Sequence, residues 1–525
     1  MRRISTAFLF LFLLAPVVLL AGCMREENDF LYDLDGAPKN LDPQSASDAA
    51  SRLVIANLFE GLVTVDEDGV VQPGAAESWT ESADGMTYTF QLREDGAWSN
   101  GDPLTAADFV YGFRRLFDPA TNAPGVSDFL CIQGGKAVLS GDSPAEELGV
   151  WAEGENTVVI RLERYNARFL ELLSTAPAMP CKEDFFRTTK GKYGLAGDKI
   201  MGNGAFYLSS WQESGTVRLR PSATYHSRTE VTATSLTLAV PSSGTPLERF
   251  REGVTSSVAL NGADFLSLGD VSGQEVFQSD NAVWGMIFRT DREPFSNAQI
   301  RRALFLDADF STMEAALPDY YERARAVISK NVTLEGKNYR STAGENLMPS
   351  LDREAAQEAF SAGVAEILAE SLTGVRLIVP EGYGHETYFA YLSQIWQRDF
   401  GLYLTVEVLD AGTYSDRLAA GEYECALVSL SGSCNSPAAA LSYFASEGGV
   451  YQLENFDRLL DQAAAESAVT ERTELYRQAE ELLIGEGLFL PFYYQAEYFV
   501  SAPGVSGVTY RFDSRMPDFR FGTVR

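Results

Sequence analysis

Residues 375–409 read VRLIVPEGYGHETYFAYLSQIWQRDFGLYLTVEVL, and the order of elements in this stretch decides the fold class. Val375–Val379 reads as a strand, Thr387–Asp399 as a helix closed by Gly401, and Thr405–Leu409 as the next strand. Just upstream, the Ala/Glu/Leu-rich segment Asp352–Glu370 reads as another helix. Helix and strand alternate through this half of the chain. That order favours an α/β lobe whose sheet carries helices on its faces.

Working outward, Met86-Thr-Tyr-Thr-Phe-Gln-Leu92 alternates strictly and puts Met86, Tyr88, Phe90 and Leu92 on one face of a half-buried strand. After the turn-rich Trp98–Pro103, Thr105-Ala106-Ala107-Asp108 sets a hydroxyl three residues before a carboxylate, which predicts a helix start. Phe109, Phe113 and Leu116 then recur at helical spacing until Asp118-Pro119 ends the pattern. Ser296-Asn297-Ala298-Gln299 repeats the arrangement, with Ser296 as the capping hydroxyl, before Ile300 and Leu304. No period of repeats is present.

The N-terminus has a different character. Arg2 and Arg3 precede an apolar run from Ala7 to Leu20, and Leu20-Ala21-Gly22-Cys23 follows. This is the layout of an export signal, and a run this short falls below the roughly 20 residues that span a bilayer. The four residues resemble a lipobox, which implies that 1–22 are removed, that Cys23 is lipidated and that 23–29 link the anchor to a globular part beginning near Phe30. A location outside the cytoplasm, on the cell surface or in the periplasm, follows.

Globular chain of about 500 residues suffices for two to four domains. The formal charge of −31, from 73 acidic against 42 basic residues, opposes contact with phosphate backbones, so no nucleic-acid partner is expected. Aromatic content of 12% with 45% hydrophobic residues fits packed domains. Besides Cys23 there are Cys131, Cys181, Cys425 and Cys434, which allow three pairings. Pairing 131 with 181 and 425 with 434 keeps each bridge local, and free buried thiols are the alternative. Only His226 and His385 are present, both read as surface residues, so a histidine-based triad or metal site lacks material. No G-x-S-x-G, H-E-x-x-H or P-loop pattern occurs. No catalytic residue, metal or cofactor is expected.

Several motifs in one order carry a family resemblance: Asn57-Leu-Phe-Glu-Gly-Leu-Val63, Pro73-Gly-Ala-Ala-Glu-Ser-Trp79, Tyr88–Arg93, Trp98–Gly101, Thr105–Tyr111 with Asp118-Pro119, and Gly204–Tyr207 with Trp211. Pro294-Phe295, Ile300–Leu304, Ala479-Glu480, Leu490–Tyr494 and Pro503–Gly507 continue the series. Together they resemble the extracytoplasmic solute-binding proteins of peptide ABC importers, the oligopeptide- and dipeptide-binding family. The resemblance implies an α/β, two-lobed periplasmic-binding-protein-like fold, with an extra domain on the first lobe and a ligand cleft between lobes. It implies that 30–68, 193–283 and 491–525 form lobe 1, 69–192 the extra domain and 284–490 lobe 2. The crossings are expected near Trp284–Thr290 and Leu490–Tyr494.

Peptide binders of this family resemble one another in an Asp-Tyr-x-Asp/Glu-Pro segment whose first aspartate pairs with the ligand's ammonium. Here Gly432-Ser433-Cys434-Asn435-Ser436-Pro437 matches it, so a serine stands at the carboxylate position and cannot neutralise the charge. Asn122-Ala123-Pro124-Gly125 departs too, with glycine where relatives often carry tyrosine. Asp48, Asp128 or Glu447 is an alternative source of a carboxylate. Ser47, Asp48, Ser433, Cys434, Tyr494 and Gln495 are the expected ligand-lining residues. The resemblance further implies a monomeric receptor that hands a short peptide to permease and ATPase subunits. A non-peptide solute (an oligosaccharide, an opine-like compound or a signalling molecule), an exported hydrolase, and a ligand-free adhesin or chaperone are the competing readings.

Overall fold

The computed structural model describes residues 28–525 except 67–68, 167, 316, 319, 368–371, 383–384, 431–435, 447–449 and 513. The expected signal and Cys23 therefore lie outside the described residues, as do Ser433, Cys434 and Glu447. Among the described residues no helix is long and apolar enough to cross a membrane.

The stretch that decides the fold class folds as read. Strands Val375–Pro380 and Leu404–Leu409 are parallel and joined by helix His385–Phe400; Cys425–Leu430 then adds in parallel on the other side of Val375–Pro380. Leu377, Ile378 and Val379 are fully buried, which is why this strand is an unbroken apolar run rather than an alternating one. The sheet continues through strands Val276–Phe288, Phe489–Ser501 and Ser257–Asn261, with Tyr321–Arg323 pairing beside Phe489–Ser501 to make seven strands.

Two further four-stranded sheets lie earlier in the chain. One orders Asp29–Asp33, Ser235–Ala239, Val217–Pro221 and Phe206–Trp211, the first two strands running parallel. The other is antiparallel and orders Ala76–Glu81, Thr87–Leu92, Thr157–Arg161 and Val150–Ala152. Tyr88, Phe90 and Leu92 point into its core, as the alternation predicts. Helix Ala106–Phe117 packs on this sheet and opens with the expected capping box between Thr105 and Asp108. The same Asp108 carboxylate accepts from the Trp98 indole at 3.2 Å, tying the turn-rich segment to the helix start.

One cap differs from its prediction. Helix Ala298–Leu306 is capped by Asn297, whose carboxamide oxygen accepts from the Gln299 and Ile300 amides, and not by Ser296. The amide of Ser296 bonds back to the Arg292 carbonyl in the preceding turn, so the helix begins one residue later than the hydroxyl spacing suggests.

Two large cores result. The first gathers residues between Phe30 and Leu238 together with Phe499, Val505, Val508, Tyr510 and Phe519; the second gathers residues from Val283 to Tyr494. A small third cluster around Leu247, Phe250 and Tyr498 adjoins the returning strand. These two bodies are the lobes.

Candidate ligand cleft at the crossing strands

Among the described residues two long strands carry the chain between the cores, and they run side by side. Val276–Phe288 leads out and Phe489–Ser501 leads back, antiparallel, with Ala282 opposite Gln495 and Ser279 opposite Glu497. Phe277 and Phe499 pack in the first core, whereas Val283 and Tyr494 belong to the second. Between Ser279 and Ala282 the register shifts, so the ladder is interrupted at the change of core. An irregularity of this kind lets a strand bend where an unbroken ladder would resist.

Polar groups gather on that irregularity. The Asp280 carboxylate lies 3.2 Å from the Lys330 ammonium, which also pairs with Glu322, and the Ser329 hydroxyl donates to the Asp280 carbonyl. Burial opposes the charge on Lys330, yet its bonds to Glu322 and Asp280 hold the ammonium above its ordinary value. On the second-lobe side an aromatic group follows: the Tyr493 ring stacks on Tyr321 at 4.4 Å and lies 6.4 Å from Trp284.

Of the expected lining residues, Tyr494 and Gln495 sit on the returning strand beside this group. Tyr494 is buried in the second core with its hydroxyl 3.5 Å from the Arg325 amide, and the Gln495 carboxamide oxygen accepts from the Trp284 indole. Ser47 and Asp48 lie in the first lobe. Ser47 is exposed, and its carbonyl accepts from the Arg52 guanidinium at 2.6 Å. Asp48 caps helix Ala49–Leu58, accepting from both the amide and the hydroxyl of Ser51 at 2.8 Å. Asp128 is exposed. Asp280, Tyr321 and Lys330 carry no signal of their own in the sequence, whereas Trp284 opens the expected crossing segment Trp284–Thr290.

The glycine at position 125 has a steric cause. A Cβ there would lie 2.6 Å from Pro177 Cγ, a ring atom that cannot swing aside, so a tyrosine at this position requires the loop to move.

Cys131, Cys181 and Cys425 are buried and free, so the 131–181 bridge does not form: the Cys131 sulfur takes a hydrogen bond from Asn166, and the Cys181 sulfur one from Arg115, each at 3.5 Å. His226 is not a surface residue. Its Nε2 lies 2.8 Å from a Glu60 carboxylate oxygen, the other Glu60 oxygen accepts from the Tyr225 hydroxyl at 2.6 Å, and both His226 and Glu60 side chains are nearly inaccessible. Glu60 is the buried acid of the 57–63 motif, and a buried carboxylate needs such donors. This cluster lines a first-lobe cavity of ≈ 820 Å³ whose described lining does not include Ser47, Asp48, Tyr494 or Gln495.

The crossing is a bendable two-strand connection flanked by an aromatic and a charged wall. A model of the bacterial extracellular solute-binding proteins, family 5, matches residues 70–452. The chain belongs to this family.

Relatives of this solute-binding protein agree. It is 26% identical over 484 residues to the oligopeptide-binding protein OppA of Bacillus subtilis, covering 90% of this chain and 88% of the relative. It is also 26% identical over 501 residues to the probable deoxycholate-binding periplasmic protein YgiS of Escherichia coli, covering 91% and 90%. Among solved structures, Haemophilus influenzae OppA in complex with the peptide RPPGFSPFR superposes with a TM-score of 0.74 at 24% identity, over 96% of this chain and all of that one. The mixed α/β, two-lobed fold is that of these binding proteins.

Much of what made the family legible turns out to be structural. Asn203 clamps Glu60 through both its backbone amide and its carbonyl, at 3.1 and 2.9 Å. A Cβ on Gly61 would meet the Leu173 carbonyl at 2.3 Å, and one on Gly204 the Leu58 carbonyl carbon at 2.8 Å. These residues allow backbone segments to touch.

Proposed function

We propose that this protein is an extracytoplasmic receptor, anchored through lipid on Cys23, that encloses a short peptide between its lobes and passes it to a membrane ABC permease. The observation that carries the reading is the pair of crossing strands with its broken register, in a chain of this family: a binding protein whose lobes can close over a solute. The several relatives named for oligopeptides support a peptide as the solute. Energy coupling then belongs to separate ATPase chains, and the receptor works as a monomer without cofactor or catalytic residue.

Native mass spectrometry of the soluble form that starts after Cys23, compared with the same sample denatured, tests the ligand. Released masses that fragment as short peptides are expected. A single non-peptide mass would overturn the peptide assignment in favour of that solute.

A non-peptide solute is the second reading. It is favoured by the serine at position 433, where peptide binders of this family carry an aspartate, and by the relative named for deoxycholate. Titration calorimetry with di- to pentapeptides separates the two readings, because the second expects no heat. The lipid anchor has its own test: Cys23→Ser should move the protein from the membrane fraction to the soluble one.

A further inference from the structure

Arg472 breaks three local rules at once. It lies in the first turn of helix Val469–Gly485, where the positive end of the helix dipole disfavours a cation. It is fully buried, and its Nε has no hydrogen-bond partner. Residues that break several local preferences together are expected at functional or strained sites, with the compensation supplied from elsewhere.

The compensation comes from two bodies. From the second lobe, Glu335 pairs with the guanidinium, and the Glu466 carbonyl accepts from it at 3.1 Å. From the first-core body, the Tyr165 hydroxyl lies 3.2 Å from the same nitrogen. Both partners are held firmly. Glu335 and Gly336 form the two-residue turn between strands Thr333–Leu334 and Lys337–Asn338, both with positive φ (51° and 71°), a conformation that a glutamate adopts at a cost. The Tyr165 ring packs on Gly85, where a Cβ would lie 2.6 Å from it. Next to this contact the hairpin tip faces the first body again, since a Cβ on Gly336 would be 3.8 Å from a Val70 methyl. Tyr476, one turn further along the helix, lies within electrostatic reach of Arg168 and Glu171.

We infer that Arg472, aimed by Glu335 onto Tyr165, is a latch that holds the two lobes together away from the crossing strands and so sets how long an enclosed solute is retained. The crossing strands permit closure; the latch favours it. Its partners are separated by the motion, because Tyr165 moves with the first core while Arg472 and Glu335 move with the second. The inference rests on the receptor reading in taking closure as the step that retains the solute.

Hydrogen-exchange mass spectrometry of the full chain without added ligand tests the latch independently of any solute. Tyr165→Phe removes one hydroxyl and keeps the ring on Gly85. It should speed exchange of the hairpin amides at 333–338, on the other body, by about tenfold, as expected for the loss of a hydrogen bond to a charged group. Glu335→Asn suits the turn better and removes the charge; it should speed exchange around 163–166 by a similar factor. In parallel, release from the complex with an equimolar di- to pentapeptide mixture should be about tenfold faster in both variants. Exchange in each variant confined to its own body, or unchanged, overturns the latch. If the wild-type chain binds no peptide, the peptide reading fails while the exchange experiment still decides the latch.

Discussion

Two buried arginines make opposite use of the same side chain. Arg115 is satisfied within one body: Asp42 accepts two bonds at 3.0 and 2.6 Å, Gln44 a third at 2.5 Å, and the Phe186 ring lies 4.1 Å from the guanidinium carbon. Burial opposes its charge, and the Asp42 partnership more than restores it. Arg472 is more deeply buried, yet its partners are divided between bodies and one of its nitrogens is left unbonded. Glu480 repeats the first pattern in the second lobe, where it accepts from the Ile328 amide, the Tyr339 hydroxyl and Arg340. A buried charge whose partners move with it stabilises a lobe. A buried charge whose partners move apart reports on the distance between lobes.

The largest effect should come from breaking a one-body cluster. Asp42→Ala leaves Arg115 buried and unpaired and is expected to cost about 3–5 kcal/mol of stability in urea denaturation, with ligand affinity unchanged. A loss below about 1 kcal/mol would erase the distinction between the two arginines.

Asp307 offers an intermediate case, a one-body cluster with too little compensation. The residue is 1% exposed, one of its carboxylate oxygens has no partner, and the nearest cation, Arg353, is 3.9 Å away. Burial, reinforced by the charge of Asp399 and only partly offset by Arg353 and Arg398, pushes this carboxyl up to about 7. A folded-state value above the unfolded one means that its stabilising contribution is full below about pH 4 and is lost as pH rises through about 7. Asp307→Asn should therefore leave stability near its wild-type value in acid and raise it by about 1–2 kcal/mol at pH 8, read from denaturation midpoints at the two pH values.

Tyr165→Phe should cost no more than about 1.4 kcal/mol of stability, the equivalent of its tenfold effect on exchange, because its bond joins bodies rather than building one. Comparable destabilisation by Asp42→Ala and Tyr165→Phe would remove the contrast. Smallest of all is the effect of reductant. Burial pushes the Cys181 thiol up to about 11, and neither it nor Cys131 is bridged, so mass and melting temperature should be indifferent to reduction. Thiol reagents should reach these residues only after unfolding.

What could be read from residues alone follows the range of the interaction. Alternation at 86–92 and the capping box at Thr105 depend on neighbours within a few positions, and the structure reproduces both. The cap at Ser296 was misplaced by one residue because the preceding turn, and not the hydroxyl spacing, decides where the helix begins. His226 reads as a surface residue because its partner, Glu60, is 166 positions away. Arg472 carries no local signal for the same reason, its two side-chain acceptors lying 137 and 307 positions off. Motifs that allow backbones to touch identify the family, whereas the charged and aromatic groups at the crossing are assembled from side chains distant in sequence and carry no pattern of their own.

The two crossing strands also bear on how the two bodies can move. Because they cross as one hydrogen-bonded ribbon, sliding one strand along the other would tear ladder bonds on either side of the irregularity, while flexing the ribbon out of its plane leaves those bonds intact. A ribbon resists shear along its length and yields through its thickness. A hinge-like swing is thus the softest relative motion that this connection offers the two bodies.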